Sequence, residues 1–325
     1  MRLGFLKEER HDMMKAILLG NGSREGVLDG VEALTPILER FVEIVVADFS
    51  TSVDLTEVDA DMAIVFGGDG SILRAVHQMG MNQLPILAVS LGTLGFLSNV
   101  SPDGVQAFFE SKNFPNFSCR EQLLLNCSVW RKRRLFVEPD SLKTNSPGIG
   151  PCVIPSRWLS DFDDRFCFGN YLVVNEVAVQ CGAPFSILKI DLAVDGDRVT
   201  TFRGDGLVVA TPVGSTGLNL SAGGPVLRNN LEDVVITPIS PQTLSFRPVV
   251  DSANRVYEMQ AVTGEAFLVI DGVSLLKLSH DDLIVIRRSP LVCKMIEVPG
   301  NQYYCNLQKK LGWGIDHLTR RTEVK

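Results

Sequence analysis

The chain has 325 residues, 45% of them hydrophobic and 21% charged, with a formal net charge of −7. That length exceeds the roughly 250 residues at which single cores stop growing, so two domains are expected, and the lack of a basic excess argues against a nucleic-acid partner. No segment approaches the roughly 20 apolar residues of a membrane span. The seven cysteines are odd in number and form no CxxC pair. A soluble cytoplasmic protein is therefore expected, with no membrane partner, no disulfide framework and no zinc site.

From Met14 onward, short apolar runs alternate with helical periods. "KAILLGNG" reads as a strand ending in a Gly/Asn turn, "REGVLDGVEALTPILERF" as a helix with an internal Pro36, and "VEIVVADF" as a second strand. "MAIVF", the loop "GGDGS", the helix "ILRAVHQM", "PILAVS" and "GTLGFLS" continue the β-α-β progression, which predicts a parallel sheet with helices on its faces. Ser101-Pro102-Asp103 predicts a helix start, with a hydroxyl able to cap and a proline at the first helical position, running to about Ser111.

After that helix the pattern turns to β-type runs: "LLLNCSVW", "YLVVNEVAVQ", "ILKIDLAVDG", "GLVVATP", "FRPVV", "AFLVIDG" and "LIVIRRS", with Gly, Asp or Pro between them. Such spacing predicts an all-β sandwich. Residues 131–168 interrupt the rhythm as a long proline-containing insertion, beginning with "RKRR" at Arg131, which reads as a solvated loop or strand end. The closing "NQYYCNLQKKLGWGIDHLTRR" reads as a helix that packs back on the first domain. The expected fold is thus an α/β N-terminal domain with a parallel sheet plus an all-β sandwich C-terminal domain. The expected boundaries are 13–125, completed by 300–325, and 126–299 with the insertion inside it.

Three stretches carry the chemistry. Gly67 to Ser71 sits where a parallel strand ends and a helix begins, the place at which open α/β sheets bind ligands. Its glycines let the backbone approach a ligand, and its N–H groups attract phosphate oxygens. Asp69 would repel phosphates unless it holds a cation or takes a proton, and phosphoryl transfer supplies both tasks; a plain turn, with Asp69 as a helix cap, is the competing reading. A second glycine pair, Gly92 and Gly95 around Thr93-Leu94, ends the neighbouring strand. No GxxxxGK[ST] and no GxGxxG unit is present, so neither a P-loop NTPase nor a Rossmann dehydrogenase is indicated. In the β-rich half, Gly214, Ser215, Thr216, Gly217, Ser221, Gly223 and Gly224 form a run of small and hydroxyl residues poorly suited to a core. Asn175-Glu176 is either an exposed turn or an amide and carboxylate that read a nucleoside.

"FGGDGSILRA", "GTLGFLS", "NEVAV", "GDGLVVATPVGSTGLNLSAGGPVL", "ITPISPQTLSFRPVV" and "LQKKLGW" occur in the order found in NAD kinases, which the chain resembles over about residues 62–290 and the terminal helix. The resemblance implies transfer of the γ-phosphoryl group of ATP, as co-substrate, to the 2′-hydroxyl of the adenosine ribose of NAD. It further implies Mg²⁺ or another divalent cation and a homodimer or homotetramer, and it leaves metal ligands unspecified. Carried over by position, Asp69 matches the general base; Gly67, Gly68, Gly70, Ser71 and Arg74 match the triphosphate side. Asp69, Gly70, Asn175, Glu176, Asp205, Thr216, Gly217 and Ser221 match the dinucleotide side, with Asp205 towards the nicotinamide. Three departures stand out: Gly217-Leu218 where the family has Ala-Tyr, Gln242 where it often has His, and Ser71 where it has Thr. A GGDG-type lipid kinase would share the first loop but not the later motifs, and a non-catalytic dinucleotide sensor would share the binding residues.

Overall fold

A computed structural model describes residues 13–92, 95–97, 100–112, 114–132, 165–183, 186–298 and 303–312. The chain divides into two compact units: residues 1–78, 84–120 and 294–325, and residues 79–83 and 121–293.

The first unit is built on a parallel sheet. Strands β1 (Met14–Gly20), β2 (Val42–Asp48), β3 (Met62–Phe66) and β4 (Ile86–Val89) lie in the order β2-β1-β3-β4, all parallel. Every residue of β3 and β4 is buried, which is why "MAIVF" and "ILAV" are unbroken apolar runs and not alternating ones. Helices α1 (Val27–Leu38) and α3 (Pro102–Phe109) share one core with Leu18, Ile64 and Leu87, while the alternate residues of the strands point to the other face. Helix α2 is Asp69–Met79. Pro102 occupies the first turn of α3 as expected, but the Ser101 hydroxyl makes no cap bond; its backbone carbonyl accepts the Gly104 N–H instead, at 2.9 Å.

The second unit is the predicted sandwich. One sheet contains β5 (Cys119–Lys132), β6 (Arg165–Val173), β8 (Leu188–Val194), β9 (Asp197–Gly204), β13 (Tyr257–Thr263) and β16 (Leu283–Ile296). The other runs β12-β11-β10-β7-β14-β15, formed by β7 (Glu176–Cys181), β10 (Gly206–Ala210), β11 (Asp233–Ile239), β12 (Val249–Ser252), β14 (Ala266–Ile270) and β15 (Val273–Leu278). Alternate residues of both sheets, among them Leu125, Val179, Ile190, Val209, Tyr257 and Leu268, meet in a single core. The short 3-10 turn Gly214–Thr216 and helix α4 (Leu218–Ser221) follow β10. Helix α5 (Tyr303–Leu311) belongs to the first unit, with Leu307 buried and the Lys310 ammonium 5.9 Å from the Phe96 ring centre.

Three expectations need correction or limits. Arg131 is not a solvated end: its guanidinium makes two bonds, of 2.8 and 2.6 Å, to the fully buried Asp282 and lies over the Phe168 ring. A run of like charges in sequence gives no sign of the acid that meets it 151 positions later. Residues 131–132 and 165–168 belong to the paired strands β5 and β6, so the insertion is narrower than expected, and residues 133–164 lie outside those described. Cys119, Cys127, Cys181 and Cys293 are free thiols, but Cys167 is disulfide-bonded, against the expectation of no disulfide, because a bridge needs proximity in space and no CxxC spacing.

Candidate active site

In the first unit the two glycine loops adjoin because the strands that precede them are neighbours. Gly67 follows β3, and its N–H donates to the carbonyl of Val89 at the end of β4, at 2.9 Å. Gly67 has φ +130°, and a Cβ there would stand 2.3 Å from the Ser71 hydroxyl, so no other residue fits the turn that starts α2. The space beside Gly68 is open, whereas a Cβ at Gly70 would approach the Arg24 guanidinium at 4.0 Å. Asp69 is the first residue of α2. Its two carboxylate oxygens accept the backbone N–H groups of Phe96 and Leu97, at 2.8 and 3.0 Å. The carboxylate is thereby aimed by the neighbouring loop.

Ser71 is buried and its hydroxyl has no hydrogen-bond partner, while Arg74 is exposed on α2. Gly92 is exposed and Gly95 buried; Thr93 and Leu94 lie outside the described residues. Arg24 was not singled out by sequence. It sits on the loop after β1, beside β3, and only that adjacency brings it to Gly70.

In the second unit the Asn175-Glu176 turn joins β6 to β7 and faces the small-residue run. A Cβ at Gly214 would stand 2.0 Å from the Asn175 carbonyl oxygen, and one at Gly217 would stand 3.1 Å from Glu176 Oε2. Gly214 and Gly217 are therefore small because the turn occupies the space. Thr211 fastens the turn further: its hydroxyl donates to the Val174 carbonyl at 2.6 Å, and its N–H donates to the Asn175 carbonyl at 2.8 Å. The Glu176 carboxyl is buried, and Oε2 lacks a partner. Burial, and then the charge of Asp271, push its pKa up to about 7, against the pull of the Leu218 N–H.

The remaining residues of the run are held from within. Asn219, fully buried, donates to the Ser215 and Pro225 carbonyls and accepts from the Thr237 hydroxyl. The Thr216 hydroxyl donates to the Val213 carbonyl at 3.1 Å, and Ser221 is exposed at the end of α4. Asp205 is not brought to the Asn175-Glu176 turn. In the β7–β10 ladder Glu176 lies opposite Ala210, whereas Asp205 precedes Gly206 at the far end, about 16 Å away along the strand at ~3.3 Å per residue.

A parallel α/β unit with a glycine-framed, aimed carboxylate at its strand ends, joined in one chain to a β-sandwich with a small-residue loop, is the arrangement expected of a phosphotransferase. Residues 35–111 match the ATP-NAD kinase N-terminal domain and residues 174–298 the ATP-NAD kinase C-terminal domain. The NAD kinase of Rhodopirellula baltica is 37% identical over 92% of this chain and 86% of its own length, and that of Geobacter sulfurreducens is 32% identical over 78% and 79%. Among solved structures, the chain superimposes on an Archaeoglobus fulgidus NAD kinase in complex with ATP with a TM-score of 0.66 and 27% identity, covering 92% of this chain and 99% of that one. A yeast NADH kinase complexed with NADH shares the fold, with a TM-score of 0.75 at 20% identity over 94% and 89% of the two chains. The chain belongs to the NAD kinase family.

Proposed function

We propose that this family member transfers the γ-phosphoryl group of ATP to the 2′-hydroxyl of the adenosine ribose of NAD with Asp69 as general base. The observation that carries the assignment is the pair of N–H bonds from Phe96 and Leu97 to the two Asp69 oxygens. They fix an ionisable acceptor at the mouth of a phosphate-type loop, where a hydroxyl proton must be taken as the new O–P bond forms. The transition state of phosphoryl transfer is loose, so positioning and charge neutralisation supply most of the acceleration and the base assists. Gly67, Gly68, Gly70 and the N–H groups that open α2 face the triphosphate in this reading, with Ser71 and Arg74 on the same side and Arg24 added as a cation at the loop mouth.

Asn175 and Glu176 hold the adenosine part of NAD, flanked by Thr216, Gly217 and Ser221. Asp205, at the other end of β10, serves the nicotinamide end. Among the described residues no group of three or more His, Cys, Asp or Glu is placed to hold a metal ion. The divalent cation is read as part of the substrate, Mg²⁺ carried on the triphosphate oxygens, in keeping with its habit of binding through phosphates and water. Among the described residues no helix is long and apolar enough to cross a membrane. A cytoplasmic site of action, where ATP and NAD are supplied, accords with the enzyme's substrates, and a homo-oligomer accords with the exposed Val249 and Val250 at the β12 edge of the six-stranded sheet.

The test is incubation of purified protein with Mg²⁺-ATP and either NAD or NADH, with the product resolved by mass. The wild type is expected to form the 2′-phosphorylated dinucleotide. Asp69→Asn is expected to leave dinucleotide binding largely intact while turnover falls by on the order of 10² or more. Near-normal turnover in that variant would sink the assigned role.

A further inference from the structure

The Asn175-Glu176 turn is held by a residue that local sequence explains as something else. Asp271 and Gly272 form the two-residue turn between β14 and β15, both with positive φ (+50° and +79°), as an Asp-Gly pair does in a tight hairpin. Asparagine would serve that turn equally well. The Asp271 carboxylate, however, reaches across to the other turn. It accepts the N–H groups of three consecutive residues: Val174 at 2.9 Å, Asn175 at 2.6 Å and Glu176 at 3.1 Å. Its own N–H donates to the Glu176 carbonyl at 3.1 Å. Three successive N–H groups converging on one anion form a backbone nest, filled here by the protein's own carboxylate.

With Thr211 bonded to the Val174 and Asn175 carbonyls, every backbone donor and acceptor from Val174 to Glu176 has a protein partner. What the turn leaves for a ligand is side chain: the Asn175 amide and the unmatched Glu176 Oε2.

We propose that Asp271 is a positioning residue for dinucleotide recognition, fixing the backbone of the Asn175-Glu176 turn and setting the charge environment of the Glu176 carboxyl. The proposal rests on the reading that this pair holds the adenosine part of NAD. Asp271 touches neither substrate nor reacting atoms and acts only through the turn. Among the described residues it is the charged group acting on Glu176, opposed by the Leu218 N–H. Removing its charge therefore makes ionisation of Glu176 easier and moves that ionisation to lower pH. A residue needed only for the hairpin would not do so.

The test compares wild type, Asp271→Asn and Asp271→Gly, both of which suit a two-residue turn, with Glu176→Gln as the control. The Michaelis constant for NAD and kcat are measured from pH 5.5 to 9 at saturating Mg²⁺-ATP. Asp271→Asn is expected to raise KM for NAD about tenfold, the equivalent of one mispositioned contact, with kcat changed by less than about threefold. The pH midpoint of its KM profile is expected to move to lower pH, and Asp271→Gly to raise KM further. A wild-type KM and an unmoved midpoint in both Asp271 variants, with Glu176→Gln impaired, overturn the proposal while leaving the role of the pair intact. A wild-type KM in Glu176→Gln overturns the reading of the pair and the proposal with it.

Discussion

Glu176 is held at odds with its own charge. It is buried, one oxygen has no partner, and Asp271 stands beside it, so its pKa rises to about 7. Below the ordinary carboxylate range the folded and unfolded chains both hold the proton, and no stability is lost. As pH rises towards 7 the unfolded chain has released a proton that the folded chain keeps, so stability falls; above 7 the full cost of ionising the buried group is present, on the order of 3 kcal/mol. Glu176→Gln is therefore expected to raise the melting temperature at pH 8, to do much less at pH 5, and to weaken dinucleotide binding at both. Calorimetric unfolding and NAD titration at the two pH values check it, and an unchanged melting temperature at pH 8 speaks against an ionised, buried Glu176. Such a trade of stability for recognition is expected at a functional site. Arg24 makes a second prediction: Arg24→Ala should raise KM for ATP several-fold, about 1 kcal/mol of binding, with KM for NAD unchanged, in steady-state kinetics. The composition of the Asp69 loop, three glycines around an acid at a strand end, left a plain turn and a phosphate site both open, and only the later motifs in their order favoured the second. Arg24 and Asp271 were not legible, because each reaches its place through strand adjacency or a hairpin that no local pattern encodes.

At the level of elements, legibility followed burial. Strands β3, β4 and β10, buried along their whole length, read as plain apolar runs. Strands β9, β11, β13 and β15 were passed over: β9 and β15 carry exposed polar or charged positions, and β11 and β13 mix Thr, Pro, Glu and Gln into their runs. Their places are fixed by partners in the ladder, as when Tyr257 to Met259 pair with both β16 and β8. The turn before β16 shows the same dependence on tertiary contacts. Asp282 accepts from Arg131 on β5 and from the Ser279 N–H at 2.8 Å, with the Asp282 side chain fully buried and that of Arg131 partly buried. Deleting one partner of such a pair strands the other without a counter-charge. Asp282→Ala is thus expected to cost about 3–5 kcal/mol in denaturant unfolding, while the surface pair Lys132–Asp281, broken by Asp281→Ala, costs less than about 1 kcal/mol.

For the whole molecule, the change from helix-punctuated strands to strands alone was enough to separate an α/β unit from a sandwich, because each architecture buries its elements with a different period. What composition could not convey is the state of the sheet edges. The six-stranded sheet ends at β12, a four-residue strand whose Val249 and Val250 are exposed, preceded by Leu244 at 87% exposure. An apolar sheet edge open to water invites pairing with another strand, and natural edges are usually shielded by charge, proline or a covering element. Pro248 precedes this strand and Asp251 lies on it, but the two exposed valines leave its first half apolar, and a second copy of the chain presenting the same edge would cover it by an isologous contact. Light scattering on the size-exclusion peak is therefore expected to give a multiple of 35.6 kDa. Val249→Lys with Val250→Lys is expected to drive the species towards the single-chain mass and to lower the melting temperature in a concentration-dependent way, since dissociation removes a stabilising partner. A wild type that elutes at the single-chain mass at micromolar concentration, or a double variant with unchanged mass, would exclude this edge as the assembly surface.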